Sequence, residues 1–551
     1  MNPLFSRFLC FVLFLSLFST VLFGQPADDP LRKMNKVLTA DELVMIWSQD
    51  NGSGSQFAKA KVYDPNIAGS TLTPKTLQNE TRMGNNEKLA ITSGNFLDGS
   101  YDNVAAAWAT QNDSIVMIVP EMSHSTLNWT TENRVTVRGP LLSTAKSANS
   151  LIALAAGNLY GAKGEEVVLA YGSSDTTVTM VVYSFNGSLA PVQQGTIKSS
   201  KLNLSSSGDD IWAISVGDYD GDGYDELALA FVTPADSLKL NVYKVSSGGV
   251  PSLLKSKALF SYAGGGGTNV ALTSGNFDFK DAEDEMAVAF GSFPIDGSGN
   301  DVAVYFCELD STGAIVTNAN RKATLHTGDA NRILPLCAAA GDVNADGRDE
   351  AVIGWYNQAY VYRCNDTLKP FLRKTLGGNS WTNQNDVAKL TNAFLAVSDL
   401  NRNRKADIIL VRNLYNGIDG DNQSFAFQVW GSITSASDTS FASISTTPII
   451  TLTNEAVVPD GSNLGIARHF AIAAGEFDGD QVRIGNALHY TKSGVQQPMV
   501  VLNAPPIHFD DFPGDGTMYD INACFPAQAC GFFSKYEDTQ TTGVSVTSEV
   551  H

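Results

Sequence analysis

The stretch GDYDGDGYDELALAF, residues 217–231, sets three aspartates two apart, follows them with a glycine and runs into apolar residues. The pattern recurs along the chain. Its relatives are SGNFLDGSYDNVAAAW (93–108), AGNLYGAKGEEVVLAY (156–171), SGNFDFKDAEDEMAVAF (274–290), AGDVNADGRDEAVIGW (340–355), SDLNRNRKADIILVR (398–412) and AGEFDGDQVRIGNALHY (474–490). The seven copies are anchored at positions 94, 157, 217, 275, 341, 398 and 475, a period of about 60 that marks a repeat architecture. Each copy has a small-residue apolar strand, a tight polar loop and a second apolar strand. A third strand follows in TVTMVVYSF (177–185) and LKLNVYKV (238–245). These runs are too short for most helices and are rich in Val, Ala and aromatics, as strands are.

Four strands per repeat and seven repeats predict an all-β fold, a seven-bladed β-propeller of four-stranded antiparallel blades. The inner strands lack clean alternation because a blade sandwiched between its neighbours buries both faces. A solenoid repeat is usually shorter and needs distinct caps. DELVMIW (41–47) matches the second-strand motif without a loop before it, and QFAKAKVYD (56–64) matches a third strand. Residues 40–85 are therefore expected to supply outer strands of the last blade. The last repeat also carries candidate second and third strands in ALHY and PMVVLN (498–503), so eight blades is the alternative.

The chain has 551 residues, 43% hydrophobic and 17% charged, enough apolar material for a large core. Its net charge is −20 and it has no Lys/Arg cluster, which argues against a nucleic-acid surface and suits cation binding. Arg7 precedes FLCFVLFLSLFSTVLF (8–23) and Gly24, a pattern expected of a signal peptide over residues 1–24, too short to span a bilayer. The expected organisation is a propeller over 25–506 and a C-terminal extension over 507–551. The expected location is secreted, cell-surface or periplasmic, with no stable membrane span after cleavage. Export permits disulfides. CFPAQAC (524–530) is the first choice for a local Cys524–Cys530 bridge, while Cys307, Cys337 and Cys364 read as buried thiols or partners of one another.

Sixty-residue repeats with DxDxDG loops ahead of an apolar strand resemble FG-GAP repeats, the propeller of integrin α-subunit N-terminal regions and of many secreted bacterial proteins. VLAYG (168–172) and AVAFG (287–291) echo the Phe-Gly element, and the GAP tripeptide is absent. The resemblance covers roughly residues 40–505. It implies a loop that bridges two strands of one blade and holds Ca²⁺, which takes six to eight oxygen ligands. In the first strong loop Asp218, Asp220 and Asp222 hold positions 1, 3 and 5, Gly223 permits the turn, Tyr224 offers its carbonyl at position 7 and Glu226 closes the shell at position 9. An EF-hand needs Glu at position 12 and a following helix; here Leu229 stands there, inside a strand.

The second strong loop supplies Asp342, Asn344, Asp346, the Arg348 carbonyl and Glu350. A third supplies Asp399, Asn401, Asn403, the Lys405 carbonyl and Asp407, with Arg404 in the glycine position. Asn276, Asp278 and Glu285, and Glu476, Asp478 and Asp480, are weaker candidates, and the loops at 95 and 158 read as metal-free turns. No GxSxG or HExxH motif occurs, and no catalytic residues are assigned. The expected function is a Ca²⁺-stabilised binding or adhesion module for a protein or glycan ligand held on a propeller face. The alternatives are a propeller-based lyase or hydrolase, with its site near His469, His489 and His508, and a targeting domain of a larger protein.

Overall fold

The computed structural model describes most of the chain from Asp41 to Gly475, apart from some connections between strands, and short strands at 488–492, 495–499, 533–534 and 549–550. The proposed signal segment, the 476–480 acids and Cys524–Cys530 lie outside the described residues.

Seven antiparallel four-stranded blades form a closed ring, a β-propeller. The third blade is typical: Trp212–Gly217 lies innermost, followed by Glu226–Thr233, Ser237–Val245 and the outer strand Pro251–Ser261. Its second strand, ELALAFVT, is buried along all but its last residue, because both its faces meet neighbouring blades. Tyr219 and Phe231 are fully enclosed in the same core. Hydrophobic clusters bridge successive blades rather than filling one blade at a time. A short 3-10 turn lies at Ala319–Arg321.

The seventh blade joins the two ends of the ring. Phe470–Gly475 is its inner strand, and Glu42–Asp50, Gln56–Asn66 and Thr71–Met83 complete it from the beginning of the chain. Leu43 pairs with Ala474 and Trp47 with Phe470. The candidate eighth blade is not in the ring: Leu488–Lys492 and Val495–Met499 pair with each other and, with Phe533–Ser534 and Glu549–Val550, form a separate small sheet.

Among the described cysteines, Cys307 and Cys364 are buried thiols and Cys337 is half-buried, its thiol donating to the Gly354 carbonyl at 3.6 Å. Burial in an apolar strand pushes the Cys307 thiol up to about 12, so it is inert at neutral pH.

Candidate cation-binding loops

The turns from first to second strand are tied to one another around the ring, as by the Glu165 N–H to the Asn95 carbonyl and the Asp284 N–H to the Asp218 carbonyl, both at 2.8 Å, so they gather on one face. The residue pair at positions 8 and 9 builds that face. Position 9 serves its own loop: Glu226 accepts the Tyr219 N–H at 3.0 Å, Glu166 that of Leu159 at 2.8 Å, Glu285 that of Phe277 at 2.7 Å, Glu350 that of Val343 at 3.1 Å and Asp407 that of Leu400 at 3.0 Å. Asn103 does the same for Phe96 at 3.2 Å. This acid therefore has a structural task in loops with and without a dense acidic set.

Position 8 crosses to the preceding blade. Asp225 accepts the Asn158 N–H at 2.7 Å, Glu165 that of Asn95 at 3.2 Å, Asp284 that of Asp218 at 3.2 Å and Asp349 that of Asn276 at 3.1 Å. The backbone N–H at position 8 returns a bond to the position-1 carbonyl, as from Asp225 to Asn158 at 2.8 Å and from Asp41 to Asp399 at 2.9 Å. The glycine ahead of position 1 makes room for this crossing. A Cβ on Gly217 would stand 2.9 Å from the Asp284 carboxylate, and one on Gly275 2.7 Å from that of Asp349. Where Ser398 replaces that glycine, its hydroxyl instead donates to Asp41. Sequence reasoning missed these latches, although the DE and EE doublets announced them.

Asp218, Asp220 and Asp222 bring one carboxylate oxygen each within 4.8 Å of one another. Asp218 is buried; its Oδ2 accepts the Gly223 N–H at 3.0 Å, while its Oδ1 has no hydrogen-bond partner. Gly223 has φ of 85°, the left-handed conformation that the turn demands. Burial raises the Asp218 carboxyl, with Asp222 and Asp220 adding repulsion. Glu226 is pushed up to about 8 by burial and by the Asp220 charge, against the opposing pull of Lys244. An unpartnered buried oxygen beside crowded carboxylates is a donor set that fits a hard divalent cation. Such an ion would be held by Asp218, Asp220, Asp222 and Glu226, with the Tyr224 carbonyl beside them.

The second loop is closed more by its own hydrogen bonds. Asp342 accepts from the Asp346 N–H at 3.1 Å and the Gly347 N–H at 2.7 Å, and Asn344 donates to Asp346 at 3.2 Å. Burial pushes Asp342 up to about 6 and, with the charges of Asp342 and Asp346, Glu350 up to about 9. The Arg348 side chain points away, to Asp366 at 2.9 Å, which leaves its carbonyl as the proposed donor. In the third loop the Asn401 amide donates to both oxygens of Asp407 at 3.1 Å, and the Lys405 side chain is fully buried. Asn403 lies outside the described residues. In the second and third loops alike the position-3 asparagine acts as a donor, to Asp346 in the second and to the position-9 acid Asp407 in the third. In the loop at 158, the Asn158 side-chain amide oxygen closes the turn by accepting the Gly161 N–H at 3.1 Å.

Beside the first loop lies a cleft of about 490 Å³ between the second and third blades, lined by Tyr160, Tyr224, Lys244, Ser246, Ser252 and Leu253 among others. The Tyr224 ring rests on Gly161 of the preceding blade, where any Cβ would collide with it. Tyr224 is 39% exposed and Leu253 53% exposed.

No protein-family model matches the chain, and no curated protein matches it. Among solved structures it is similar to the periplasmic gluconolactonase of Pseudomonas aeruginosa, at 11% identity and a TM-score of 0.42 over 77% of this chain and 99% of that one. It is also similar to an Agrocybe aegerita lectin described as recognising non-reducing terminal N-acetylglucosamine, at 10% identity and a TM-score of 0.40 over 69% of this chain and 88% of that one. The fungal lectin of Aleuria aurantia, a six-bladed propeller with a fucose recognition mode, matches at 9% identity and a TM-score of 0.31 over 62% of this chain and 97% of that one. Likeness at this level speaks for neither ligand nor activity.

Proposed function

We propose that this chain is an exported FG-GAP-type propeller, stabilised by Ca²⁺ in its acidic loops, that acts as a binding module for a glycan. The observation that carries the ligand class is the cleft at the acidic face. Tyr160 and Tyr224 offer apolar ring faces for the C–H side of a sugar, while Ser246, Ser252 and Lys244 offer polar groups for its hydroxyls. An exposed protein segment that places an aromatic or aliphatic side chain on Tyr224 and Leu253 is the second reading.

A glycan array followed by calorimetry tests the ligand. Tyr224→Ala keeps the backbone carbonyl and removes the ring, so it is expected to weaken a bound glycan by about tenfold, the loss of one stacked aromatic contact. No glycan bound by the folded parent protein overturns the glycan reading.

The calcium reading has its own measurement. Extracellular Ca²⁺ modules bind at about 10⁻⁴–10⁻³ M, so 1 mM Ca²⁺ is expected to stabilise the ring by about 0.4–1.4 kcal/mol per site through mass action. EDTA is expected to lower Tm. Asp218→Ala is expected to shrink the Ca²⁺ response, whereas Asn95→Ala leaves it intact. A Tm indifferent to EDTA and to added Ca²⁺ rejects the sites.

A further inference from the structure

The two loops with the densest acidic sets share a feature that their own residues do not contain. On the third strand of each blade, directly across from the position-9 glutamate, stands a basic residue. Leu227 pairs with Tyr243, which sets Lys244 beside Glu226; Ala351 pairs with Tyr362, which sets Arg363 beside Glu350. The Lys244 Nζ lies 2.5 Å from Asp220, 2.7 Å from Asp222 and 3.3 Å from Glu226. Arg363 pairs with one acid of its loop, Asp346. The less acidic loop at 158 has no such partner: Val167 pairs with Tyr183, which puts Ser184 across from Glu166.

We propose that Lys244 and Arg363 are tethered competitors for the divalent cation, each neutralising its loop when the metal is away and each displaced when the metal binds. The inference rests on the calcium reading above. Three of the oxygens that would face the ion, on Asp220, Asp222 and Glu226, also hold the Lys244 ammonium, and two cations cannot share them at contact distance. Asp218 lies outside the lysine's reach, its Oδ1 buried and without a hydrogen-bond partner. That oxygen is the group a metal satisfies and the lysine does not. The tether thus keeps the loop folded at low Ca²⁺ and makes occupancy a competition, so that the site fills only where Ca²⁺ is abundant. The exchange needs no backbone rearrangement, since Lys244 is about one-third exposed and its four-carbon stem can swing outward into the adjoining cleft.

Lysine-directed labelling of the parent protein, with acetic anhydride and peptide mass analysis, reads the displacement directly. Lys244 is expected to label several-fold faster in 5 mM Ca²⁺ than in EDTA, an order-of-magnitude guide from the loss of its three carboxylate partners. Lys198, paired with Asp175 on the second blade, serves as the unchanged control. Calorimetry with Ca²⁺ alone then compares the parent with Lys244→Met and, on the fifth blade, Arg363→Met. Each variant is expected to tighten one site by about tenfold or more, the effect of removing one competing charge at close range. Ca²⁺ bound by the parent and both variants with equal affinity overturns the competition and leaves the calcium reading standing, as does binding with unchanged Lys244 labelling. If neither parent nor variants bind Ca²⁺, both fall. Should Lys244→Met not fold, the labelling of the parent and the Arg363→Met titration decide.

Discussion

A chain that begins after Asp50 is expected to lose cooperative folding altogether. The strand Glu42–Asp50 lies between Phe470–Gly475 and Gln56–Asn66 and pairs with both. Leu43, Val44, Met45, Ile46 and Trp47 are all buried along it. Five such side chains contribute about 1.5–3 kcal/mol each on burial, so their sum rivals the whole net stability of a domain, about 5–15 kcal/mol. The loss also takes Asp41, whose N–H bonds the Asp399 carbonyl and whose carboxylate accepts from Ser398. Neither side of the gap can compensate, because the exposed edges of 470–475 and 56–66 would be apolar and unpaired. Calorimetry and limited proteolysis read the outcome. A sharp transition at the full-length temperature would show that closure adds little.

Glu166→Gln is expected to make the protein more stable at pH 8 and no more stable at pH 4.5. Glu166 is buried, accepts the Leu159 N–H and leaves its Oε1 without a hydrogen-bond partner. Burial, with the charge of Glu165 adding to it, pushes its carboxyl up to about 7 from an ordinary 4.5. A carboxyl whose pKa is raised on folding holds its proton in the native state while the unfolded chain has released it. The native state therefore binds more protons between those two values, and stability falls as pH rises through that window. The full drop is about 3 kcal/mol for a shift of this size. Glutamine keeps the acceptor oxygen for Leu159 and carries no charge to desolvate. Other raised carboxyls, Glu226, Glu350 and Asp342 among them, give the parent further slope in the same direction. Only the difference between parent and variant isolates Glu166. Urea unfolding at the two pH values checks it, and equal differences at both reject the assignment.

The number of blades was readable because each repeat carries the same loop at nearly the same interval, and DELVMIW betrayed the closure by repeating a second-strand motif with no loop before it. The loops could be located, but their chemistry was read one loop at a time. Adjacent residues on a strand point to opposite sides, so the doublets Glu165–Glu166, Asp225–Glu226 and Asp349–Glu350 had to serve two blades, one carboxyl each. Lys244 and Arg363 were hidden for a different reason. Lys244 follows Glu226 by eighteen residues and Arg363 follows Glu350 by only thirteen, because the hairpins between differ in length. Equivalent positions in space therefore have no common spacing in sequence. Lys405 shows the converse: the sequence offered its carbonyl, while the fold buries its side chain.

Closure by the seventh blade also has a consequence in time. The strands at 42–83 leave the ribosome first, yet their inner partner at 470–475 is made nearly four hundred residues later. At about 5–20 residues per second, that is roughly 20–80 s during which the edge carrying Leu43, Met45 and Trp47 has no inner strand to pair with. A nascent chain with an apolar edge exposed for so long is open to pairing with its neighbours on the same message, so the yield of closed rings should depend on what shields that edge during synthesis as much as on the stability of the ring once shut.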